Sequence, residues 1–205
     1  MDDPHNYWEQ TKKLHEQVER GEITVEYLLE LLSHDDAIMR SRAITVLGWL
    51  KDKRAVEPLI ALLNDEDKII RLKTISSLER ISNWIHHKDA AELLLRCLGD
   101  DCSVIRKKAA NSLGELRYVK AIKPLIERLQ LDECFEVRSA AASSLGKLKA
   151  MEAFPMLITA LTDKSPAVRC SAAGALCKLG KPEAIESLSK LLTDKAIEDD
   201  MDFLS

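Results

Sequence analysis

The stretch from Ala121 to Gly146, AIKPLIERLQLDECFEVRSAAASSLG, decides the fold of this chain. Its first part follows the pattern Ala-apolar-x-x-apolar-apolar, and its middle is a polar break. Its second part begins with the pair Val137-Arg138 and ends with Leu145-Gly146. Related stretches recur along most of the 205 residues, so the repeat is the first feature to interpret.

An apolar residue followed by arginine marks each repeat. Successive arginines are 31, 35, 32 and 31 residues apart. A leucine follows each apolar member by eight residues, and an aspartate, or His34 in the first unit, precedes each arginine by six. The marker pairs are Met39-Arg40, Ile70-Arg71, Ile105-Arg106, Val137-Arg138 and Val168-Arg169. Three markers that keep one phase through five units predict a repeat protein.

Each unit is predicted to fold as two helices. Ser165-Pro166 predicts the start of a second helix, because serine caps a helix and proline suits its first position. One pair cannot cover its own apolar face, so the units must stack. We therefore predict an all-α fold, a right-handed α-solenoid (superhelix) of about five to six two-helix repeats with an extra N-terminal helix. The stripe buried by one first helix is Val56, Leu59, Ile60 and Leu63.

The two ends depart from the repeat. Residues 1–22 are predicted to form an N-terminal capping helix that carries Tyr7 and Trp8. The repeat array is predicted over residues 23–194, with 184–192 as the first helix of a sixth unit. Residues 195–205 form an acidic C-terminal tail, which we expect to be solvated; the alternative is a peptide ligand for another protein.

The composition favours a soluble, cytoplasmic, helical protein. Hydrophobic residues make up 46%, aromatic residues 4%, and the net charge is −4. This balance is too apolar for disorder and too near neutral to indicate nucleic-acid binding by itself. The five cysteines lack the spacing of a disulfide framework, which predicts a reducing compartment. We expect no signal peptide at the polar N-terminus and no membrane span, since no apolar run approaches about 20 residues.

The two halves of the unit resemble a known family. Ala55–Asp65 reads Ala-Val-x-Pro-Leu-Ile-x-Leu-Leu-x-Asp, and Val137–Leu148 reads Val-Arg-x-x-Ala-Ala-x-x-Leu-Gly-x-Leu. Together they are similar to the short HEAT-like repeat of the phycobilin-lyase (PBS lyase) type. The resemblance covers about residues 23–194. It implies the repeat fold, and a range of roles that includes bilin-attaching lyase subunits, phycobilisome-degradation adaptors, a peptide hydroxylase and plain binding modules.

Signals for catalysis and metal binding are poor in this sequence. It has no His-Glu-x-x-His, no Cys-x-x-Cys and no Gly-rich phosphate loop. The hydroxylases of the family bind two irons through several His-Glu pairs, whereas this chain has one, His15-Glu16, outside the array. His86 and His87 lie beside Trp84 in the longest unit, and on a helix they would point about 100° apart. We therefore expect no catalytic residue, no cofactor and no metal.

The cysteines and the repeated charges are interpreted as structural. Cys97 is predicted to lie in the core. Cys170 and Cys177 should share an outward face, either as reactive thiols or as tolerated surface residues, and the absence of a neighbouring base in the sequence favours the second. An aspartate six residues before each arginine favours a tie within or between repeats over a ligand site.

The second helices are expected to line the concave face. A helical wheel exposes the position before each marker apolar residue and those two, three, six and ten after it. Apolar residues gathered there favour a partner site; the alternative is that the extra N-terminal helix or neighbouring units cover several of them. The predicted partner-binding residues are Ile38, Trp49, Ile69, Leu72, Arg80, Val104, Lys107, Phe135, Lys147 and Lys178.

Two functions follow as hypotheses. The first is a non-catalytic interaction module or adaptor that binds a helix or loop of a partner protein on the concave face. The second, implied by the resemblance, is a phycobilin lyase subunit or a phycobilisome-degradation adaptor acting on phycobiliproteins. Nucleic acid is the least favoured ligand, because Lys107, Lys108, Lys147 and Lys178 form only a modest basic row.

Overall fold

The structure, a computed structural model, describes residues 4–81 and 90–180 and divides into two compact units. Unit 1 spans Met1–Cys97 and unit 2 spans Leu98–Ser205. Across the described ranges the regular elements are α-helices and 3-10 turns, with no strand. The prediction of an all-α solenoid of two-helix repeats is therefore confirmed. The predicted sixth unit, the acidic tail, Trp84, His86 and His87 lie outside the described residues.

The helices of unit 1 are an N-terminal helix followed by repeat helices. In unit 1, α2 packs against α3 and α4 against α5, and α3 also packs on α5. Second helices are thus the odd-numbered helices from α3 onwards. The bounds are α1 Pro4–Glu19, α2 Val25–Leu31, α3 Ala37–Leu50, α4 Val56–Ala61, α5 Lys68–Leu78 and α6 Ala90–Cys97.

Unit 2 repeats the arrangement. Its first helices α8 and α10 pack against the second helices α9 and α11, and α9 lies between α7 and α11. Short 3-10 turns at Val119–Ala121 and Met151–Ala153 lead into the first helices. Ser165 precedes α11 and Pro166 begins it, as predicted. The bounds are α7 Ser103–Glu115, α8 Ile122–Leu131, α9 Phe135–Lys147, α10 Phe154–Ala160 and α11 Pro166–Leu179.

Glycines in the Leu-Gly marker let second helices approach closely. A Cβ added to Gly146 would lie 2.7 Å from the Cα of Ala175 on α11. A Cβ on Gly114 would lie 2.5 Å from the Oγ of Ser144, which donates a hydrogen bond of 2.8 Å to the carbonyl of Ala110. Only a residue without a side chain fits at such a distance, so the marker fixes the spacing of the second helices.

The repeated arginines tie each loop to its own helix and to the next repeat. Arg106 donates from Nη1 to the carbonyls of Asp100 (2.8 Å) and Asp101 (3.2 Å). Its Nε and Nη2 donate to the two carboxylate oxygens of Asp132 at 2.8 and 2.9 Å. Arg138 makes the same two bonds to Asp163, also at 2.8 and 2.9 Å. The structural interpretation of these charges is confirmed.

The pKa values of both aspartates reflect this pairing. Burial would raise the pKa of the Asp132 carboxyl, but hydrogen bonds from Arg106 and from the Cys134 amide outweigh burial, and the pKa is lowered. The hydrogen bond from Arg138 lowers the pKa of Asp163, against the opposing effect of burial. Both carboxylates are therefore held in the charged form, as bidentate pairing with arginine requires.

The cysteines lie where the sequence placed them. Cys97 is buried in the core, and Cys170 and Cys177 are both exposed on α11. None of the five, all within the described residues, is in a disulfide. No helix in the described part of the chain is long and apolar enough to cross a bilayer.

Candidate protein-binding surface

In each unit, we call the positions around the marker apolar residues of the second helices the second-helix face; it lies on α3 and α5 in unit 1 and on α7, α9 and α11 in unit 2. In unit 1, Ile69 and Arg80 are exposed, whereas Ile38, Leu72 and Trp49 are half-buried. In unit 2, Val104, Lys107, Phe135 and Lys178 are exposed, and Lys147 is partly covered. The predicted site residues therefore separate into a partly covered set and an open set.

Helix α1 covers part of the second-helix face in unit 1. Its Tyr7 hydroxyl lies 2.8 Å from the Oγ of Ser41 and 3.4 Å from the Oγ1 of Thr45. The sequence predicted that both positions would be exposed, and this was wrong: Ser41 and Thr45 are buried. The physical reason is that α1 packs on α3 and brings an aromatic hydroxyl to these two hydroxyl groups. At these two positions the alternative interpretation is correct: the extra N-terminal helix covers the second-helix face.

Trp49 contacts the same helix. The Trp8 ring stacks on the Trp49 ring with centroids 6.0 Å apart and an interplanar angle of 17°. The His15 ring meets Trp49 edge-on at 5.5 Å. Trp49 was predicted as an open anchor for a partner, but its ring is engaged within the chain. Trp8 itself is exposed, so the stacked pair presents Trp8 to solvent.

A lysine completes the contact of Tyr7. Lys73 on α5 donates from Nζ to the Tyr7 hydroxyl at 3.0 Å, and Nζ also lies 4.4 Å from the centroid of the ring. Burial alone would raise the pKa of Tyr7, but the hydrogen bonds from Lys73, Ser41 and Thr45 outweigh it and lower the pKa. Tyr7 is thus held by three polar groups on two second helices.

The second-helix face of unit 2 contains an open depression of about 260 Å³. Phe135 and serines from α9 and α11 line it. Ser139 and Ser171 share a hydrogen bond of 2.8 Å between their Oγ atoms. The lining residues are Lys107, Asn111, Phe135, Glu136, Ser139, Ala140, Ser143, Ala167 and Ser171.

A second cavity of about 350 Å³ lies at the C-terminal ends of α7, α9 and α11. Four cationic side chains and one carboxylate line it, and Lys147 pairs with that carboxylate, Glu115, at 2.7 Å. Positive charge at helix C-termini also complements the helix dipole. The cations are Arg117, Lys147, Lys149 and Lys178.

Side chains that could ligate a metal do not converge in the described residues. No group of three or more His, Cys, Asp or Glu side chains there is placed to hold a metal ion. Cys134 donates to Glu136 at 2.9 Å, and this hydrogen bond lowers the pKa of Glu136.

Sequence reasoning missed two features of this surface. Tyr7 and Lys73 were not assigned to this surface. The available signal was the adjacent Tyr7 and Trp8 in the extra helix, because a chain with only 4% aromatic residues has few such pairs to cover a helix face. Arg117 and Lys149 were also missed. Both have positive φ angles, 50° and 51°. Each lies twelve residues after the marker apolar residue of its own two-helix repeat. The recurrence of a basic residue at that position was the available signal.

Comparisons with known proteins agree with this architecture. The family model described as HEAT repeats matches residues 25–83, 83–145 and 122–200. The complex of CpcE and CpcF of phycocyanin lyase from Nostoc sp. PCC7120 is 26% identical with a TM-score of 0.64, covering 83% of this chain and 71% of that one. A computationally designed armadillo repeat protein for modular peptide recognition is 18% identical with a TM-score of 0.64, covering 83% and 92%.

A designed armadillo repeat protein in complex with the peptide (KR)4 is 19% identical with a TM-score of 0.64, covering 86% of this chain and 91% of that one. No curated protein matches the sequence. The predicted resemblance to HEAT-like repeats of the phycobilin-lyase type is confirmed, since both the family model and the CpcE–CpcF structure support it. The family model matches well over half of the residues, and the chain belongs to the HEAT-repeat family.

Proposed function

We propose that this chain is a non-catalytic adaptor that docks a segment of a partner protein on the second-helix face of unit 2. One observation carries the proposal: Val104 and Phe135 keep 46% and 44% of their surface exposed, and Phe135 lines the depression together with three serines. Exposed apolar side chains beside a polar-lined depression are typical of interaction sites. Lys107, Lys147 and Lys178 would orient the partner through charge.

The comparisons support an interaction role through the fold. HEAT and armadillo repeats both stack helices in repeated units. One of the armadillo designs was made for modular peptide recognition, and another is in complex with the peptide (KR)4. Those designs share only the fold with this chain, because their identity is 18% and 19%. In unit 1 the same proposal extends to Ile38, Ile69, Leu72 and Arg80, where a partner would bind beside α1 or displace it from Trp49.

A capture experiment tests the proposal. The full chain is immobilised, incubated with extract of its source organism, and the bound proteins are quantified by mass spectrometry. Burying the Phe135 side chain is worth about 1.5–3 kcal/mol, so Phe135→Ala combined with Val104→Ala should reduce capture of the specific partner at least tenfold.

The matched control removes apolar surface elsewhere in unit 2. Val119→Ala with Leu131→Ala shortens two side chains that are more exposed than Val104 and Phe135, in the turn before α8 and at the end of α8. Capture should survive this pair of changes. Equal capture by all three proteins, each shown to be folded by circular dichroism, would refute the proposed surface.

A second candidate is favoured by one specific comparison. The CpcE–CpcF complex of phycocyanin lyase is 26% identical to this chain and similar over 83% of it. On that basis the chain would act on phycobiliproteins, as a lyase subunit or as an adaptor for phycobilisome degradation. Mixing it with a bilin and an apo-phycobiliprotein, with and without a candidate partner subunit, tests this role. An unchanged absorption spectrum in both mixtures contradicts the lyase activity.

A further inference from the structure

Both units are built from the same repeat. The contacts that Tyr7 makes with the second-helix face of unit 1 therefore indicate which group the open second-helix face of unit 2 binds. In unit 1, Tyr7 binds the second and sixth residues after the marker of α3, which are Ser41 and Thr45. It also binds the third residue after the marker of the next second helix, Lys73 on α5. These three positions recur in every two-helix repeat. Their equivalents in the repeats of unit 2 therefore follow directly from the sequence.

Unit 2 carries hydroxyl groups at all three equivalent positions. The second and sixth residues after Val137 are Ser139 and Ser143, and the third after Val168 is Ser171. All three line the depression of about 260 Å³, which is larger than a phenol ring. In the described residues this depression is open, and the Ser139 hydroxyl bonds to the Ser171 hydroxyl at 2.8 Å and to the Ala167 carbonyl at 3.4 Å.

We infer that the second-helix face of unit 2 binds an amphipathic helix of a partner protein that inserts a tyrosine among Ser139, Ser143 and Ser171. The inference rests on the proposed function and specifies the chemistry of its ligand. A tyrosine fits because its hydroxyl both donates and accepts, as the serine hydroxyls do. Its ring also provides apolar surface for Phe135, which flanks the serines.

Charge distinguishes this ligand from α1. The tenth residue after the marker is Trp49 on α3, where Trp8 stacks, but it is Lys147 on α9. The exposed Lys107 also lines the depression. Lys147 is paired with Glu115 at 2.7 Å and Glu136 also lines the depression, so an acidic residue of the partner would exchange with these carboxylates. We expect the residue that follows the tyrosine in the partner helix to be acidic rather than aromatic.

The probe is a synthetic peptide of residues 4–20 that carries Trp8→Glu. This change removes the ring that stacks on Trp49, so the peptide competes poorly with α1 for unit 1. Its binding to the full chain is measured by isothermal titration or fluorescence anisotropy. We expect binding, and a loss of about tenfold when Ser139, Ser143 and Ser171 are all changed to Ala, which corresponds to one or two hydrogen bonds.

The triple variant should remain folded. Alanine is a better helix former than serine, and the change removes both hydroxyls of the Ser139–Ser171 bond together, so neither is left unpaired. It also removes the long bond of 3.4 Å from Ser139 to the Ala167 carbonyl. Thr159→Ala, an exposed hydroxyl on the first helix α10, is the matched control and should leave the affinity unchanged.

A tyrosine-to-phenylalanine change in the peptide completes a double-mutant cycle. It should weaken binding to the wild-type chain but have little further effect on the triple variant. The inference is refuted if the peptide does not bind at millimolar concentration, if the triple variant binds it equally well, or if the phenylalanine peptide loses the same affinity on both proteins. If the peptide fails while the Val104→Ala, Phe135→Ala protein still loses its partner, the adaptor role stands and the tyrosine chemistry is wrong.

Discussion

Asp132→Asn tests whether the ion pairs between repeats stabilise unit 2. The Asp132 and Arg106 side chains are 1% and 8% exposed and share two hydrogen bonds of 2.8 and 2.9 Å. Losing one partner of a buried pair costs about 3–5 kcal/mol, because the remaining charge stays desolvated. We expect about 3 kcal/mol, since Arg106 keeps its bonds to the carbonyls of Asp100 and Asp101. For a chain of this length the melting temperature should fall by about 6–12 °C.

The control is an ion pair with a similar N–O distance that is more exposed to solvent. Lys147 and Glu115 lie 2.7 Å apart, with side chains 29% and 64% exposed. Glu115→Gln should therefore cost less than about 1 kcal/mol. Urea unfolding followed by circular dichroism gives both values, and an unchanged m-value shows that the same transition is compared. Equal costs for the two variants would refute the argument that burial gives the repeat pairs their strength.

Three further predictions concern acid stability, helix spacing and α1. The folded-state pKa values of Asp132 and Asp163 are lowered, so their stabilisation is complete above the unfolded pKa of about 3.9 and is lost as the pH falls through the folded values. The difference in urea midpoint between wild type and Asp132→Asn should accordingly shrink below pH 4. Gly146→Ala should destabilise by about 1–2 kcal/mol through its clash, whereas Gly174→Ala, with open space around it, should stabilise by about 0.5–1 kcal/mol; the same sign for both would contradict the packing argument. Tyr7→Phe should speed amide exchange in α1 severalfold, and unchanged exchange would show that its hydrogen bonds do not hold the helix.

Features set by the repeat could be predicted from the sequence. The Leu-Gly marker and the Asp–Arg spacing each recur because one contact is made again in successive units. Arg106 to Asp132 and Arg138 to Asp163 are the same contact in two places. A pattern that recurs in sequence therefore indicated both the all-α solenoid and the structural role of its charges.

Features outside the repeat could not be predicted in the same way. Helix α1 has no equivalent in the array, so nothing in its sequence fixed which face it would cover. The wheel placed Ser41 and Thr45 at positions open to solvent, and it was correct about the direction of these side chains. What it lacked was the position of Tyr7, since a contact over 34 residues between unlike elements leaves no periodic signal.

The contact of Tyr7 with α3 and α5 also explains why the second-helix faces of unit 1 and unit 2 differ in their availability to a partner. The residues two, three and six after the marker are those with which a second-helix face contacts its ligand. Close approach of neighbouring second helices at Gly48, Gly114 and Gly146 keeps these positions at a fixed spacing. In unit 1 Tyr7 already occupies these positions, and a partner that displaces α1 has to replace its hydrogen bonds to Ser41 and Lys73. In unit 2 the Ser139 and Ser171 hydroxyls are bonded to each other, and exchanging that bond for bonds to an incoming hydroxyl costs little. A ligand with equal contacts to both faces would therefore occupy unit 2 first, because α1 already binds the face of unit 1.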